Sequence, residues 1–442
     1  MIIAKAFAGK HYAVYGLARS GLATVEALLA SGARVTAWDE NEGARTSLLR
    51  SSGEGDRDAQ RRGGGADSVR PALAPPSSLR DATSPLLRNE EVLRIADLAT
   101  LDLTQFDSLI LSPGVPLNTH PLAARARAAK LEIIGDIELF ARARPELPPH
   151  KVVGITGTNG KSTTTALVHH ILQTAGMPSL MGGNIGLPIL SQEPLPEGGV
   201  YVLELSSYQI DLTQSLDCDV AVLLNITPDH LDRYESFEGY AASKARLFEL
   251  SSGSKFRGRV NLGPIARAPS LEGPHNAQNS AAAIDVCLAL GLSLDRIEHG
   301  LITYPGLPHR MERIRKKDGV LFVNDSKATN ATATAPALAA FPAIRWICGG
   351  RAKADHLDEC APNFGHVRTA YTIGEASDLF ARILAPHMKV AECGDLAHAV
   401  LRAANDAQPG ETVLLSPACA SFDQFTDFEA RGDAFRRLVG AL

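Results

Sequence analysis

The sequence has no run of about 18 apolar residues, so it offers no membrane-spanning helix. Its start, Met1 to Lys10, has only short apolar pieces and no small-residue cleavage site, so no signal peptide is read there. Cysteine is scarce and none of the six sits in a Cys-x-x-Cys pair, which argues against disulfides and zinc ligands and for reduced core thiols in a cytoplasmic protein. There is no excess of positive charge either: 44 basic residues face 49 acidic ones. The formal charge of -5 leaves no basic stripe of the kind a phosphate backbone requires, and nucleic acid is excluded as a partner. With 45% hydrophobic and 21% charged residues, the composition is that of an ordinary globular chain. At about 150 residues per domain, 442 residues suggest three domains.

The chain opens as strand, turn, helix, strand. His11 to Tyr15 is β-prone, Gly16-Leu17-Ala18-Arg19-Ser20-Gly21 forms the turn, Leu22 to Ala30 has helical periodicity, and Arg34 to Trp38 leads into Asp39. Gly16-x-x-x-x-Gly21 is not the full G-x-G-x-x-G pattern and makes only a weak case for a nucleotide or a dehydrogenase site. Residues 51–90 are rich in Gly, Ser, Pro, Arg and Asp without a periodic apolar pattern. Such a segment buries too little to offset its ordering entropy, and is expected to be a disordered surface insertion, with a partner-binding segment as the alternative. Phe106 to Leu111 is a strand running into Ser112-Pro113-Gly114. Ala141 to His150, polar and proline-rich, reads as a linker, and Gly306 to His309 as a second boundary. Beyond it, strands at Val320 to Asn324, Ile344 to Cys348, Ala370 to Ile373 and Thr412 to Leu415 alternate with helical stretches. All three pieces therefore read as α/β with mainly parallel sheets.

The strongest motif follows the strand Val152 to Ile155. Thr156-Gly157-Thr158-Asn159-Gly160-Lys161-Ser162-Thr163 reads as a phosphate loop, although its first glycine is not at the strict Walker A spacing. Glycines let successive N–H groups converge on one concavity, and the helix that follows adds its positive end. Lys161 can neutralise β/γ oxygens, and the Ser162 or Thr163 hydroxyl can reach magnesium. Glu204 ends the strand Tyr201 to Leu203. Asn225 ends another, and Asp229-His230-Leu-Asp232 comes soon after. Ligands of doubly wound sheets sit at such carboxyl ends, which places Glu204 and His230 near the triphosphate. Histidine is a soft ligand for magnesium, so a supporting role for His230 stays open. Asn276 and Asn279, one helical turn apart, could cap their helix or read a base. Asn324-Asp325-Ser-Lys327-Ala-Thr329 is a dense polar set at a strand end. Cys419, with no base spaced for it, reads as a packed small residue.

Taken together, Gly154 to Thr163, Gly182-Gly-Asn-Ile-Gly-Leu-Pro188, Glu204-Leu-Ser-Ser207, Asp229 to Asp232, Gly273-Pro-His-Asn276, Gly306-Leu-Pro-His-Arg310 and Asn324 to Asn330 resemble the Mur ligases. The resemblance runs in order from about residue 11 to 440. It implies three domains: a Rossmann-like one for a UDP substrate (1–146), a P-loop ATPase-like one (147–306) and a Rossmann-like one for an amino acid (307–442). The Ser-Lys-Ala-Thr-Asn and Ser416 to Phe425 versions resemble members that add D-glutamate to UDP-N-acetylmuramoyl-L-alanine with ATP and magnesium, in cytoplasmic peptidoglycan precursor synthesis.

The resemblance assigns residues as well. Gly16, Leu17, Ala18, Arg19, Ser20, Asp39, Ser112, Pro113, Gly114 and Asn184 would meet the UDP substrate. Gly157 to Thr163, Asn276, Asn279, Arg310 and Asp325 would meet ATP. Lys161, Glu204, His230 and Lys244 would be catalytic. Ser162, Thr163, Glu204, His230 and a carbamylated Lys244 would serve magnesium. Lys327, Thr329, Lys353, Ser421, Phe422 and Phe428 would form the amino-acid pocket. A monomer is implied. Ligation of another amino acid, L-glutamate included, and a non-catalytic UDP-sugar or ATP-binding protein stay open. Two departures stand out. The interval from Lys244 to His275 is short, with Ser251 to Arg259 where strands are expected, which points to reduced stability or weakened adenine binding. Arg351 also stands where an acidic residue is expected.

Overall fold

The computed structural model describes residues 1–51, 92–227, 233–258, 271 and 274–442. Apart from Ser51, the stretch read as a disordered insertion lies outside the described residues, as do Asp229 to Asp232 with His230, and also Arg259 and Gly273. The chain divides into two compact units, Met1–Tyr304 and Pro305–Leu442. Among the described residues no helix is long and apolar enough to cross a membrane.

The first unit carries two five-stranded sheets. One contains β1 (His11–Tyr15), β2 (Arg34–Trp38), β3 (Leu93–Ile95), β4 (Ser108–Leu111) and β5 (Glu132–Ile134), in the order β3-β2-β1-β4-β5, all parallel. The other contains β6 (His150–Thr156), β7 (Ser179–Gly183), β8 (Gly199–Glu204), β9 (Val220–Leu223) and β10 (Ser254–Arg257), in the order β10-β9-β6-β8-β7, again all parallel. Their inner strands are short, largely apolar runs, which is what parallel strands covered on both faces require. In each sheet the chain leaves the first strand on one side and returns on the other. That reversal opens a crevice at the strands' carboxyl ends, beside β1 and beside β6.

Two expectations change here. Ala141 to His150 is not a loose linker. The helix Asp136–Ala143 continues through Ala141 and Ala143, both buried, a short 3-10 turn follows at Arg144–Glu146, and β6 begins at His150. Polar composition misled because the polar side chains there are paired through space: Arg142 donates to Glu132 and to the buried Glu138, which also accepts from the Gln214 and Ser215 N–H groups and the Ser215 hydroxyl. That carboxylate and Phe140, whose ring lies 5.0 Å from that of Tyr201, tie the helix to the second sheet. The stretch Ser251 to Arg259, expected to replace lost strands, itself supplies β10, pairing Ser254 with Val220 through Arg257 with Leu223. An edge strand with mostly exposed side chains needs backbone pairing more than apolar residues, so its polar sequence hid it.

The second unit holds one six-stranded sheet made of β11 (Glu312–Lys317), β12 (Val320–Asn324), β13 (Ile344–Gly349), β14 (Val367–Ile373), β15 (Lys389–Gly394) and β16 (Thr412–Leu415). The order is β11-β12-β16-β13-β14-β15; only β11 is antiparallel. Placing β16 between β12 and β13 brings the loops after these three strands together at one edge.

Candidate active site

The phosphate loop is built by close backbone packing. Gly160, at φ 85°, precedes the helix Lys161–Thr174, and a Cβ there would lie 2.1 Å from Asn279 Oδ1. Only glycine permits both the left-handed conformation and this approach. The loop is braced by Asn225, two residues past β9, a strand-end residue that the sequence reading singled out without giving it a role. The Asn225 carbonyl accepts from Thr158 N (2.9 Å) and its Oδ1 from Asn159 N (2.9 Å), while its Nδ2 donates to the Asn159 carbonyl (3.1 Å). The Thr158 hydroxyl meets Tyr240 OH at 3.1 Å, and Gln278 accepts from Asn225 Nδ2 at 3.1 Å. Tyr240 stands one helical turn before Lys244, a spacing that could have flagged it. Asn279 is buried; its Nδ2 donates to Asn276 Oδ1 at 3.1 Å. Asn279 Oδ1 in turn accepts from the Thr164 hydroxyl at 3.4 Å, which sets Asn279 against the first turn of the helix after the loop.

Lys161 Nζ donates to the carbonyls of Gly157 (3.0 Å) and Thr158 (2.8 Å), so its charge is folded over the loop. Ser162 and Thr163 are buried in the first turn. Glu204 sits at the end of β8, paired beside Ile155 of β6, and is only 1% exposed. Its Oε1 accepts from Asn184 Nδ2 at 2.9 Å, while its Oε2 is buried and has no hydrogen-bond partner among the described residues. An orphaned carboxylate oxygen is costly unless something positive or protic completes it. Hard oxygens from Glu204, Ser162 and Thr163 suit magnesium. Lys244 is 2% exposed, its Nζ 4.7 Å from the centre of the Tyr240 ring. Asn184, assigned to the UDP substrate, is thus also the residue that orients Glu204.

In the first sheet's crevice, Gly16 turns at φ 93°, and its carbonyl accepts from the Ser112 hydroxyl at 2.7 Å. Asp39 uses both oxygens on backbone: Oδ2 accepts from Leu17 N and Oδ1 from Asn41 N. It therefore shapes the Gly16 to Ser20 turn as well as lining it. Pro113 lies at the edge of a cavity of about 290 Å³ that also reaches Tyr208 and Tyr234.

The second unit carries Lys327, Thr329, Lys353 and Ser421 on the loops after β12, β13 and β16, and Phe428 at the start of the helix Phe428–Ala441. Lys353 Nζ donates to Thr329 Oγ1 at 3.1 Å, and Lys327 Nζ lies 5.6 Å from the centre of the Phe428 ring. Ser421 is buried, whereas Phe422 is 63% exposed. The unexpected Arg351 is matched by Glu375, with bonds of 2.9 and 3.0 Å. Arg431 was missed entirely. It is 1% exposed, and its guanidinium donates to the Ser326 hydroxyl and carbonyl and to the carbonyls of Cys419 and Ala420. Burial lowers its pKa to about 10. Cys419 behaves as a packed residue, its thiol pushed by burial to about 12.

Arg310 and Asp325, assigned to ATP, belong to this second unit. Asp325 is built into it: Oδ2 accepts from the Ser416 hydroxyl (2.7 Å) and Oδ1 from Met311 N (3.2 Å). Burial raises its carboxyl to about 7, against the pull of Ser416, Arg310 and Met311. A raised acid favours the folded state at low pH. Its contribution is full below the unfolded value near 4 and is lost as pH rises to about 7. Relative to Asp325→Asn, the wild-type chain should therefore lose thermal stability between pH 5 and 8. Melting curves of both chains across that range check this; parallel pH profiles would refute it.

Among known domain families, the Mur ligase middle domain matches residues 155–261 and the Mur ligase glutamate ligase domain residues 309–419. A solved structure of the UDP-N-acetylmuramate–alanine ligase of Thermotoga maritima superposes with a TM-score of 0.56, at 15% identity, covering 98% of this chain and 99% of that one. The chain belongs to the Mur ligase family. Among its relatives are proteins of Novosphingobium aromaticivorans and Sphingopyxis alaskensis, each 54% identical over 100% of this chain and covering 97% and 100% of the relative. Both are named UDP-N-acetylmuramoylalanine–D-glutamate ligase.

Proposed function

We propose that this chain joins D-glutamate to UDP-N-acetylmuramoyl-L-alanine at the expense of ATP, releasing ADP and phosphate. The observation that carries the reading is the phosphate loop with Lys161 and the buried Glu204, whose Oε2 has no partner among the described residues. Full-length identity of 54% to ligases of that name supports the choice of substrates.

A carboxylate is a poor electrophile because it would have to expel oxide. The alanyl carboxylate oxygen attacks the γ-phosphorus of ATP, ADP leaves, and an acyl phosphate forms. The glutamate amine then attacks the acyl carbon, the C–O bond to phosphate breaks, and loss of a proton from nitrogen leaves the amide. Loop N–H groups and Lys161, swung from its two carbonyl partners, hold the phosphates and offset charge on the transferring group. Glu204, Ser162 and Thr163 would hold magnesium with His230 and a carbamylated Lys244; the bound ion supplies charge neutralisation at the phosphates. Carbamylation suits Lys244, because a buried ammonium would turn into an anionic oxygen donor. Lys327, Lys353 and Ser421 suit the carboxylates of glutamate. Gly16 to Ser20, Asp39, Ser112 to Gly114 and Asn184 serve the UDP substrate, Asn276 and Asn279 serve ATP, and Thr329, Phe422 and Phe428 serve the amino acid; the family resemblance also gives ATP to Arg310 and Asp325. The three blocks 1–146, 147–306 and 307–442 carry the three substrates in the cytoplasm.

Phosphate release is measured with UDP-N-acetylmuramoyl-L-alanine, ATP and each of a panel of D- and L-amino acids. Release with D-glutamate well above all others is expected. A protein that binds the UDP substrate yet releases no phosphate would sink the reading.

A further inference from the structure

We infer that Arg233 is a positioning residue for the UDP-linked substrate, an inference that rests on the proposed function. Arg233 comes from the second half of the first unit, yet its Nη2 donates to the Gly114 carbonyl at 2.5 Å. Asn118, from the first half, returns the bond: its Nδ2 donates to the Arg233 carbonyl at 2.8 Å. The two bonds form a strap between the loop after β4 and the segment before the Lys244 helix. The guanidinium also lies 4.2 Å from the centre of the Tyr208 ring, a cation–π contact.

The strap joins groups on both sides of the reaction. On one side, Gly114 ends the Ser112-Pro-Gly loop, and Ser112 holds the carbonyl of Gly16. On the other, Tyr208 lies in the short helix Ser207–Asp211, just after Glu204. The next residue, Tyr234, donates to Asp211 Oδ2 (2.7 Å) and meets Ser243 Oγ at 3.2 Å, next to Lys244. Arg233 therefore fixes the distance between the turns that meet the UDP end and the carboxylate that would serve phosphoryl transfer. Beneath it is the cavity of about 290 Å³, whose wall includes Pro113, Leu117 and Asn118 from one side and Tyr208, Arg233 and Tyr234 from the other. Both strap bonds are solvent-exposed. Exposed bonds add little to global stability, so their removal should appear in substrate affinity and rate more than in melting.

The test compares the wild-type chain with Arg233→Ala, Arg233→Lys and Asn118→Ala. Calorimetry reads the affinity for UDP-N-acetylmuramoyl-L-alanine and, separately, for ADP. Arg233→Ala should weaken the UDP substrate about tenfold and leave ADP unchanged. Arg233→Lys, which lacks the planar fork, should recover only part of the loss. Asn118→Ala, a milder change, should weaken the same ligand alone. Unchanged affinity for the UDP substrate in Arg233→Ala overturns the inference. So does an equal loss for both ligands accompanied by a lowered melting temperature. If the wild-type chain binds the UDP substrate but releases no phosphate, the proposed reaction fails while the affinity comparison still decides the role of Arg233.

Discussion

Lys161→Ala should lower phosphate release by about 10³-fold or more, while the UDP substrate binds as before. Lys161 is the first residue of its helix and folds its ammonium over the loop it serves, bonded to Gly157 and Thr158. In the proposed reaction ATP would exchange those carbonyls for phosphate oxygens whose charge grows as the γ-group is transferred. The lysine therefore acts more strongly in the transition state than in the ground state, which is what places the loss in kcat. The loop itself should persist, because Asn225, Tyr240 and Gln278 brace it without the lysine. Steady-state kinetics with a melting curve distinguish the cases. A variant with wild-type kcat would remove Lys161 from the chemistry, and one that melts far below the wild type would make its role structural.

The second large effect concerns stability. Arg431→Ala should destabilise the second unit by about 2–5 kcal/mol, the range for truncating a large buried side chain and orphaning its hydrogen-bond partners. Arg431 is 1% exposed, and its loss leaves the Ser326 and Cys419 carbonyls without this donor, while the Ala420 carbonyl keeps only the Arg351 N–H, together with a side-chain-sized void. Those carbonyls belong to the loops after β12 and β16, which carry Lys327 and Ser421. The variant should therefore also raise KM for glutamate more than KM for ATP. Denaturant unfolding and substrate titration check both. A drop below 1 kcal/mol with unchanged KM would show that water or a neighbouring side chain replaces the guanidinium.

Much of the fold could be read before any coordinates. Val320–Asn324 and Thr412–Leu415 match the expected strands residue for residue, and the first three elements match within a few positions, because buried parallel strands write themselves as short apolar runs between glycine-rich turns. The same logic failed where stability comes from partners. β10 is polar and is held by its neighbour's backbone, and Ala141 to His150 looked like a linker because Arg142, at the end of a helix, is paired through space with Glu132 and Glu138. Arg431 and Arg233 look like any surface arginine in a one-dimensional string.

The sequence by itself determined the chemistry. The phosphate loop, the glutamate at the next strand end and the lysines after the later strands are local spacings, and local geometry follows from them. Tertiary structure alone decided which of these residues are held, and by what. Asn184 turns Glu204, Asn225 braces the phosphate loop, and Arg233 straps one half of the first unit to the other. Each of these contacts joins residues 20 to 119 positions apart, and separation along the chain carries no distance until the sheets have packed.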